Sequence, residues 1–211
     1  MPAKNVIKSY LENGYYHIYN RGVEKRDIFL DAQDYNVFLK YLSEYLLYKD
    51  VNFLQAQLAN PKIPWVEKDK ILKLLGINNF FGEISMLAYC LMPNHLHFFL
   101  RQKSANAIAQ FMQSLCTRYT MYFNKKYKRV GSLFQAVYKA VLIDTEEQFL
   151  YLSRYIHKQA ILQDQIVGLG NQPSSYEVYL CNRKTDWVYP ENVLAYFSQT
   201  QPSLTYQAFV E

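Results

Sequence analysis

Cysteine, glycine and proline are all scarce in this chain of 211 residues, which has three, seven and seven of them. The low glycine and proline content excludes collagen-like and linker sequences. Cys90, Cys116 and Cys181 are far apart and form no CxxC motif. We therefore expect no disulfide framework, and a reducing compartment is the better interpretation.

Long apolar segments are also missing. No apolar run approaches the roughly 20 residues of a membrane span, and the first residues, MPAKNVIKSY, contain no signal-peptide core. Half of the residues are hydrophobic and 19% are charged, which excludes an intrinsically disordered chain. We expect a soluble, cytoplasmic protein without membrane contact.

Acidic residues are absent from the middle of the chain, between Ile84 and Ile143, although the whole chain carries a net charge of only +5. Eight of the 23 basic residues lie in this segment, so the remainder has 15 basic and 18 acidic residues. A basic segment without acids is typical of a surface that binds a polyanion. A solvated basic helix face is the alternative.

Hydrophobic periodicity predicts an α+β protein. Residues 15–19 favour a strand, Asp31 caps a helix, and a short helix over 65–75 lies in a less regular insert at 51–80. Two strands, over 84–91 and 95–101, follow and are joined by a turn at Pro93-Asn94. A long helix begins at Ser104, and a strand is predicted over 133–143. The last helix extends from Asp144, which has capping-box spacing with Glu147, to about Gln159.

This order, β-α-insert-β-β-α-β-α, matches the split β-α-β pattern of ferredoxin-like folds. We expect an antiparallel sheet with helices on one face. The other face would be left for a ligand or for the final helix.

Two of the four histidines form the triplet His95-Leu96-His97 within a predicted strand. Because side chains alternate along a strand, both imidazoles share one face, while Leu96 and Phe98 share the other. Two neutral imidazoles on one face could hold a divalent metal. Two half-exposed strand histidines without a metal are the alternative.

Tyr155 and Gln159 stand at i and i+4 on the last helix and therefore lie on one face. A tyrosine beside a metal-bound phosphodiester can act as a nucleophile, and a glutamine carbonyl can complete a metal site. Tyr151, one turn earlier on the same stripe, is the competing candidate. His157 points away from Tyr155, since residues i and i+2 do not share a helix face.

The sequence resembles the single-tyrosine HUH transposases of bacteria and archaea, and within them the REP-associated tyrosine transposases. The resemblance extends from about Tyr16 to Tyr179. The segments that carry it are YHIYNRG (16–22), AYCLMPNHLHFFL (88–100), the run 111–124 with Thr117-Arg118-Tyr119, GSLFQAVYKAVLID (131–144), LSRYIHKQ (152–159) and PSSY (173–176).

The resemblance implies a role for each matching residue. His95 and His97 take the places of the HUH metal ligands, Gln159 completes a site for Mg²⁺ or Mn²⁺, and Tyr155 is the nucleophile. The implied reaction leaves a 5′-phosphotyrosine link on single-stranded or hairpin DNA and a free 3′-OH. The implied domain covers 1–160, with a C-terminal extension, 161–211, packed on it.

The chain departs from one branch of the family. REP-associated members usually read YIHxNP at the nucleophile, whereas residues 155–160 here read YIHKQA and fit the YxxxQ pattern of the insertion-sequence branch. The resemblance therefore leaves both a monomer and a homodimer open.

Further residues are assigned from their types and positions. The candidates for DNA contact, through charge or hydrogen bonding, are Asn20, Arg21, Arg118, Lys125, Lys126 and Lys139. Ordinary surface charge is the alternative for the basic ones. His17 is interpreted as a packing residue of the first strand and Cys90 as a small buried hydrophobe.

Two other functions are alternatives. A non-catalytic hairpin-binding module on the same fold would bind DNA without needing His95, His97, Tyr155 and Gln159 together. A metal hydrolase of small molecules fits poorly with the basic, acid-free segment.

Overall fold

The computed structural model describes residues 10–167, 173–198 and 200–211. Its centre is a four-stranded sheet in the order β2-β3-β1-β4, in which all neighbouring pairs are antiparallel. β1 lies between β3 and β4, as the split β-α-β pattern requires. The predicted α+β class is confirmed. The strands are β1 (Tyr15–Arg21), β2 (Ile84–Met92), β3 (His95–Gln102) and β4 (Lys139–Ile143).

Two helices, α1 (Ala32–Leu46) and α4 (Ala107–Lys126), cover one face of the sheet. Their apolar stripes form the main core with the strand side chains on that face, among them Ile18 and Phe98. Asp31 caps α1 as predicted, because its carboxylate accepts a hydrogen bond from the backbone N–H of Asp34 at 3.0 Å.

The insert between α1 and β2 is more regular than the sequence suggests. It contains α2 (Val51–Ala59) and α3 (Trp65–Leu75), of which only α3 is predicted from the sequence. Asp50 caps α2 by accepting from the N–H of Phe53 at 2.8 Å. Pro61 and Pro64 lie between the two helices, so they separate the helices rather than breaking either one.

The strand predicted over 133–143 is shorter than expected, since only Lys139–Ile143 pairs with β1. Residues 133–135 instead cross the end of β1. The N–H of Gln135 bonds the carbonyl of Arg21 at 2.8 Å, and the N–H of Val23 bonds the carbonyl of Leu133 at 2.9 Å. These bonds satisfy the backbone locally and end the ladder.

The opposite face of the sheet carries α5 (Glu146–Val167), which contacts β2 and β3. The expected capping pair of Asp144 and Glu147 is wrong by one residue. The hydroxyl of Thr145 accepts from the N–H of Gln148 at 3.2 Å, and the Gln148 side chain accepts from the N–H of Asp144 at 3.4 Å. Thr145 and Gln148 have the same capping-box spacing.

The segments after α5 pack on α5 and on the edge of β2 through the short helices α6 (Tyr176–Tyr179), α7 (Glu191–Leu194) and α8 (Tyr206–Val210). The N–H of Leu91 bonds the carbonyl of Pro173 at 3.0 Å, and the N–H of Tyr189 bonds the carbonyl of Met86 at 2.8 Å. The boundary predicted at 160/161 falls inside α5, because that helix continues to Val167.

Among the described residues, no helix combines the length and the apolar character needed to cross a membrane. The expectation about a signal peptide falls mainly on residues 1–9, which lie outside the described residues.

Candidate active site

Strand pairing brings the HxH triplet beside the end of β1. His95 lies opposite Arg21 and His97 opposite Tyr19, so all four side chains project from the face of the sheet that carries α5. The ring centroids of the two histidines are 4.9 Å apart. The predicted sharing of one face by His95 and His97 is therefore found, and Cys90, which pairs with His97 across β2 and β3, is buried as predicted.

His97 is 5% exposed and has an imidazole as its partner. Its Nδ1 lies 2.9 Å from Nε2 of His17, and the two rings are nearly parallel, at 23°, with centroids 5.1 Å apart. Burial, with the neighbouring rings of His17 and His95, lowers the pKa of His97 to about 3. Burial also lowers the pKa of His17 to about 4.

His95 is half-buried at the start of β3. Its Nδ1 donates to the side-chain oxygen of Asn94 at 2.6 Å. Burial and the positive charge of Arg21 lower the pKa of His95. All three histidines are therefore neutral at pH 7, the state in which imidazole binds a metal.

Tyr155 projects from α5 over this histidine group. Its ring meets that of His97 edge-on at 5.5 Å and that of His17 at 5.9 Å between centroids. It remains 46% exposed, so part of the residue is open to solvent. Tyr151, one turn earlier, is 56% exposed and contacts Phe209 instead. The structure therefore brings Tyr155, rather than Tyr151, beside the histidines.

Gln159 follows Tyr155 by one turn on the same side of α5 and is half-buried. His157 lies on the other side of the helix, as predicted. It is fully buried, with Nδ1 2.6 Å from the hydroxyl of Tyr206 and Nε2 2.7 Å from the hydroxyl of Ser175. His157 therefore anchors the helix and does not enter the site.

The donor set is chemically suited to a divalent cation. His95 and His97 both engage Nδ1 in a hydrogen bond, which leaves Nε2 of each ring as the nitrogen that can bind metal. No group of three His, Cys, Asp or Glu side chains able to hold a metal occurs in the described part of the chain. From the described residues, a third protein ligand could be a neutral oxygen, such as the amide of Gln159.

Two of the six DNA-contact candidates flank the histidines. Arg21 is exposed at the end of β1, opposite His95. Lys139 is exposed on β4 opposite Tyr19, and its ammonium lies 5.7 Å from the Tyr19 ring centroid. Both charges stand on the histidine face of the sheet.

The other four candidates lie elsewhere. Asn20 is buried on the α4 side of the sheet, where its amide nitrogen bonds the carbonyl of Ala136 at 3.4 Å. Arg118 pairs with Glu44 at 2.6 Å and stacks over Tyr41. Lys126 pairs with both Asp31 and Asp34 at 2.7 Å. Lys125 is exposed at the end of α4.

His17 is the site residue that sequence reasoning misses. His17 packs on the sheet, as the sequence predicts, and in addition its ring nitrogen bonds that of His97. Its position two residues before Tyr19 puts it on the histidine face once β1 is paired with β3. The alternation of β1 indicates which face His17 shares with Tyr19. The alternation does not indicate that His97 lies on that face, because His97 is 80 residues away and is brought there by strand pairing.

Residues 72–159 match the family model described as "Transposase IS200 like". This segment contains His95, His97, Tyr155 and Gln159. The resemblance to the IS200-like transposases is confirmed. None of the curated proteins matches the chain significantly.

Solved structures support the fold. The structure of a REP-associated tyrosine transposase bound to a REP hairpin is similar with a TM-score of 0.53 and 10% identity, over 96% of this chain and 97% of that one. A crystal structure of a candidate transposase from Deinococcus radiodurans R1 has a TM-score of 0.31 and 16% identity, over 74% of this chain and 97% of that one. The fold of this chain is therefore similar to that of the REP-associated transposase along nearly its whole length, including the IS200-like segment.

Proposed function

We propose that this chain cuts and rejoins single-stranded DNA through a covalent bond to Tyr155. One observation carries the proposal: an exposed tyrosine on α5 stands edge-on to a buried histidine of the HxH pair, with 5.5 Å between ring centroids. A tyrosine used only for packing has no need of exposure beside two neutral imidazoles. The IS200-like match across the same residues supports this chemistry.

In the proposed reaction the phenolic oxygen of Tyr155 attacks a DNA phosphorus. A P–O bond to the tyrosine forms, and the bond from phosphorus to the 3′ oxygen breaks. The phenol gives its proton to solvent and the departing 3′ oxygen takes one up, so a 5′-phosphotyrosine and a free 3′-OH result. Attack by another 3′-OH reverses the step and joins strands without a nucleotide cofactor.

His95, His97 and Gln159 would hold Mg²⁺ or Mn²⁺. When bound, the cation would offset the negative charge of the phosphate at the reacting phosphorus. The three protein ligands carry no charge themselves, so the full cation charge is available to the phosphate. The imidazoles also form one wall beside Tyr155 and limit the directions in which its ring can turn.

We infer that hairpin DNA is the substrate class. The similar REP-associated transposase is bound to a REP hairpin, which supports the same class of ligand here. Arg21 and Lys139 flank the histidines and are placed to contact the phosphate backbone. Exposed rings on the same face, such as that of Tyr155, are available for base stacking.

The test compares Tyr155→Phe with Tyr151→Phe on the same helix. End-labelled single-stranded DNA with hairpins taken from around the coding gene is incubated with each protein and Mg²⁺ or Mn²⁺, then resolved on a denaturing gel. We expect a labelled, SDS-resistant protein band from the native chain and from Tyr151→Phe. Tyr155→Phe should give little or no such band, because it lacks the phenolic oxygen that is proposed to bond to phosphorus.

Hairpin binding by the native chain with no covalent band in either metal would contradict the proposal. That result would make the chain a hairpin-binding module. A band that persists in Tyr155→Phe and vanishes in Tyr151→Phe would identify Tyr151, one turn earlier on α5, as the nucleophile.

A further inference from the structure

The contact between His17 and His97 carries an inference beyond the assigned ligands. Nε2 of His17 and Nδ1 of His97 are 2.9 Å apart and the rings are nearly parallel, at 23°. At this distance two neutral imidazoles share one proton, since two N–H groups would clash and two lone pairs would repel. One ring donates and the other accepts.

The direction of this hydrogen bond determines whether Nε2 of His97 can bind a cation. If His97 donates from Nδ1, its Nε2 carries a lone pair and can bind a cation. If His17 donates instead, the neutral ring of His97 must carry its proton on Nε2, which then cannot bind one. The other histidine shows the first arrangement, since Nδ1 of His95 donates to the oxygen of Asn94 at 2.6 Å.

We propose that His17 is a positioning residue of the metal site: it accepts the Nδ1 proton of His97 and so holds the Nε2 lone pair of His97 ready for the cation. This inference rests on the proposed function. His17 is well placed for the task, because its ring lies 4.9 Å from that of Tyr19, at a tilt of 33°, and meets that of Tyr155 edge-on at 5.9 Å between centroids. These two rings restrict the directions in which the His17 ring can turn.

The test measures binding of Mn²⁺ alone to the full-length protein, by electron paramagnetic resonance of the free ion. Loss of an outer hydrogen-bond partner typically weakens metal binding by about 10- to 100-fold, and we expect that loss for His17→Ala. His17→Gln, whose amide oxygen can accept the same proton, should restore affinity to within a few-fold of the native chain. Val141→Ala, directly opposite His17 on β4, is the matched control and should bind normally.

A second measurement separates positioning from direct ligation. Electron spin-echo modulation from ¹⁴N counts the imidazoles bound to Mn²⁺, and we expect two in the native chain and two in His17→Gln. In the hairpin assay, His17→Ala should need about 10- to 100-fold more Mn²⁺ for half-maximal covalent product. Its product at saturating Mn²⁺ should approach the native level.

The outcomes are distinct. Native affinity in a folded His17→Ala, or three bound imidazoles in the native chain, would overturn the role of His17 and leave the tyrosine chemistry standing. Mn²⁺ binding that depends on His17 without any covalent product would uphold the positioning role and overturn the proposed function. A native chain that binds no Mn²⁺ would overturn both.

Discussion

Basic side chains of similar type have different uses in this molecule, and their partners explain the difference. Arg118 and Lys126 are paired with carboxylates of α1 and of its N-cap, so much of their charge is neutralised within the fold. Arg21 and Lys139 are exposed on the histidine face, where their charge is directed to solvent. Only the second pair is available to a polyanion that reaches Tyr155.

Replacement of Arg21 or Lys139 by alanine should weaken hairpin binding. Each loses about one phosphate contact, which should reduce the slope of log K against log salt by about 1. Fluorescence anisotropy with a labelled hairpin at several salt concentrations measures this slope.

Arg118→Ala is the matched control for these two variants. It should leave the slope unchanged and lower thermal stability, since it breaks the pair with Glu44. If the slope is unchanged in both Arg21→Ala and Lys139→Ala, the DNA binds to a different surface of the protein.

Local sequence rules found part of the site and missed the rest. The shared face of His95 and His97 follows from strand alternation, and the shared side of Tyr155 and Gln159 follows from helical spacing. Both are properties of a few consecutive residues. His17 was missed because its role depends on the pairing of β1 with β3. The ion pair of Arg118 was missed because Glu44 lies on a different helix.

At the scale of elements, α5 is held in place by the chain that follows it. His157 bonds Tyr206 of α8 and Ser175 before α6, and all three are buried. The hydroxyl of Ser175 also accepts from the N–H of Tyr89 on β2 at 2.9 Å. The helix that presents Tyr155 is thus tied to the sheet and to the C-terminal helix through one imidazole.

Tyr206→Phe should destabilise the fold by about 1–3 kcal/mol, because it leaves a buried ring nitrogen of His157 without a partner. Urea unfolding followed by far-UV circular dichroism gives this free energy. Tyr196→Phe is the control, since the hydroxyl of Tyr196 bonds Glu146 at the surface, and it should change stability by less than about 0.5 kcal/mol. Equal effects of the two substitutions would argue against the anchoring role of His157.

The order of elements was readable from the sequence, but several of their ends were not. The hairpin of β2 and β3 follows from an apolar run, the turn at Pro93-Asn94 and an alternating run. Helix α2 was missed because nearby prolines suggested irregular chain. The cap of α5 was placed one residue early because two overlapping pairs satisfy the same spacing, and only the backbone conformation distinguishes them.

At the scale of the whole molecule, buried neutral histidines make stability depend on pH. Burial lowers the pKa of His157 to about 3, against about 6.5 in the unfolded chain. Above pH 6.5 the ring is neutral in both states. As the pH falls below that value, the unfolded chain takes up a proton that the folded chain does not, so stability declines until the folded pKa is reached.

We expect the free energy of unfolding, measured by urea in the presence of a chelator, to fall between pH 7 and pH 5. His157 alone should account for roughly 2 kcal/mol of this loss, at about 1.4 kcal/mol per pH unit. The same pH change should therefore cost His157→Gln roughly 2 kcal/mol less than it costs the native chain. Parallel pH dependence of the two proteins would show that His157 takes up no additional proton on unfolding.

The edge of β2 is sealed by backbone that the ribosome makes much later. Met92 ends the strand, and Tyr189, whose N–H bonds Met86, follows 97 residues after it. At synthesis rates of roughly 5 to 20 residues per second this interval is on the order of 5 to 20 s. During that time the nascent chain presents an open, apolar strand edge, the kind of surface that pairs with other chains. The growing polypeptide is therefore most in need of a chaperone between the completion of β2 and the emergence of its last forty residues.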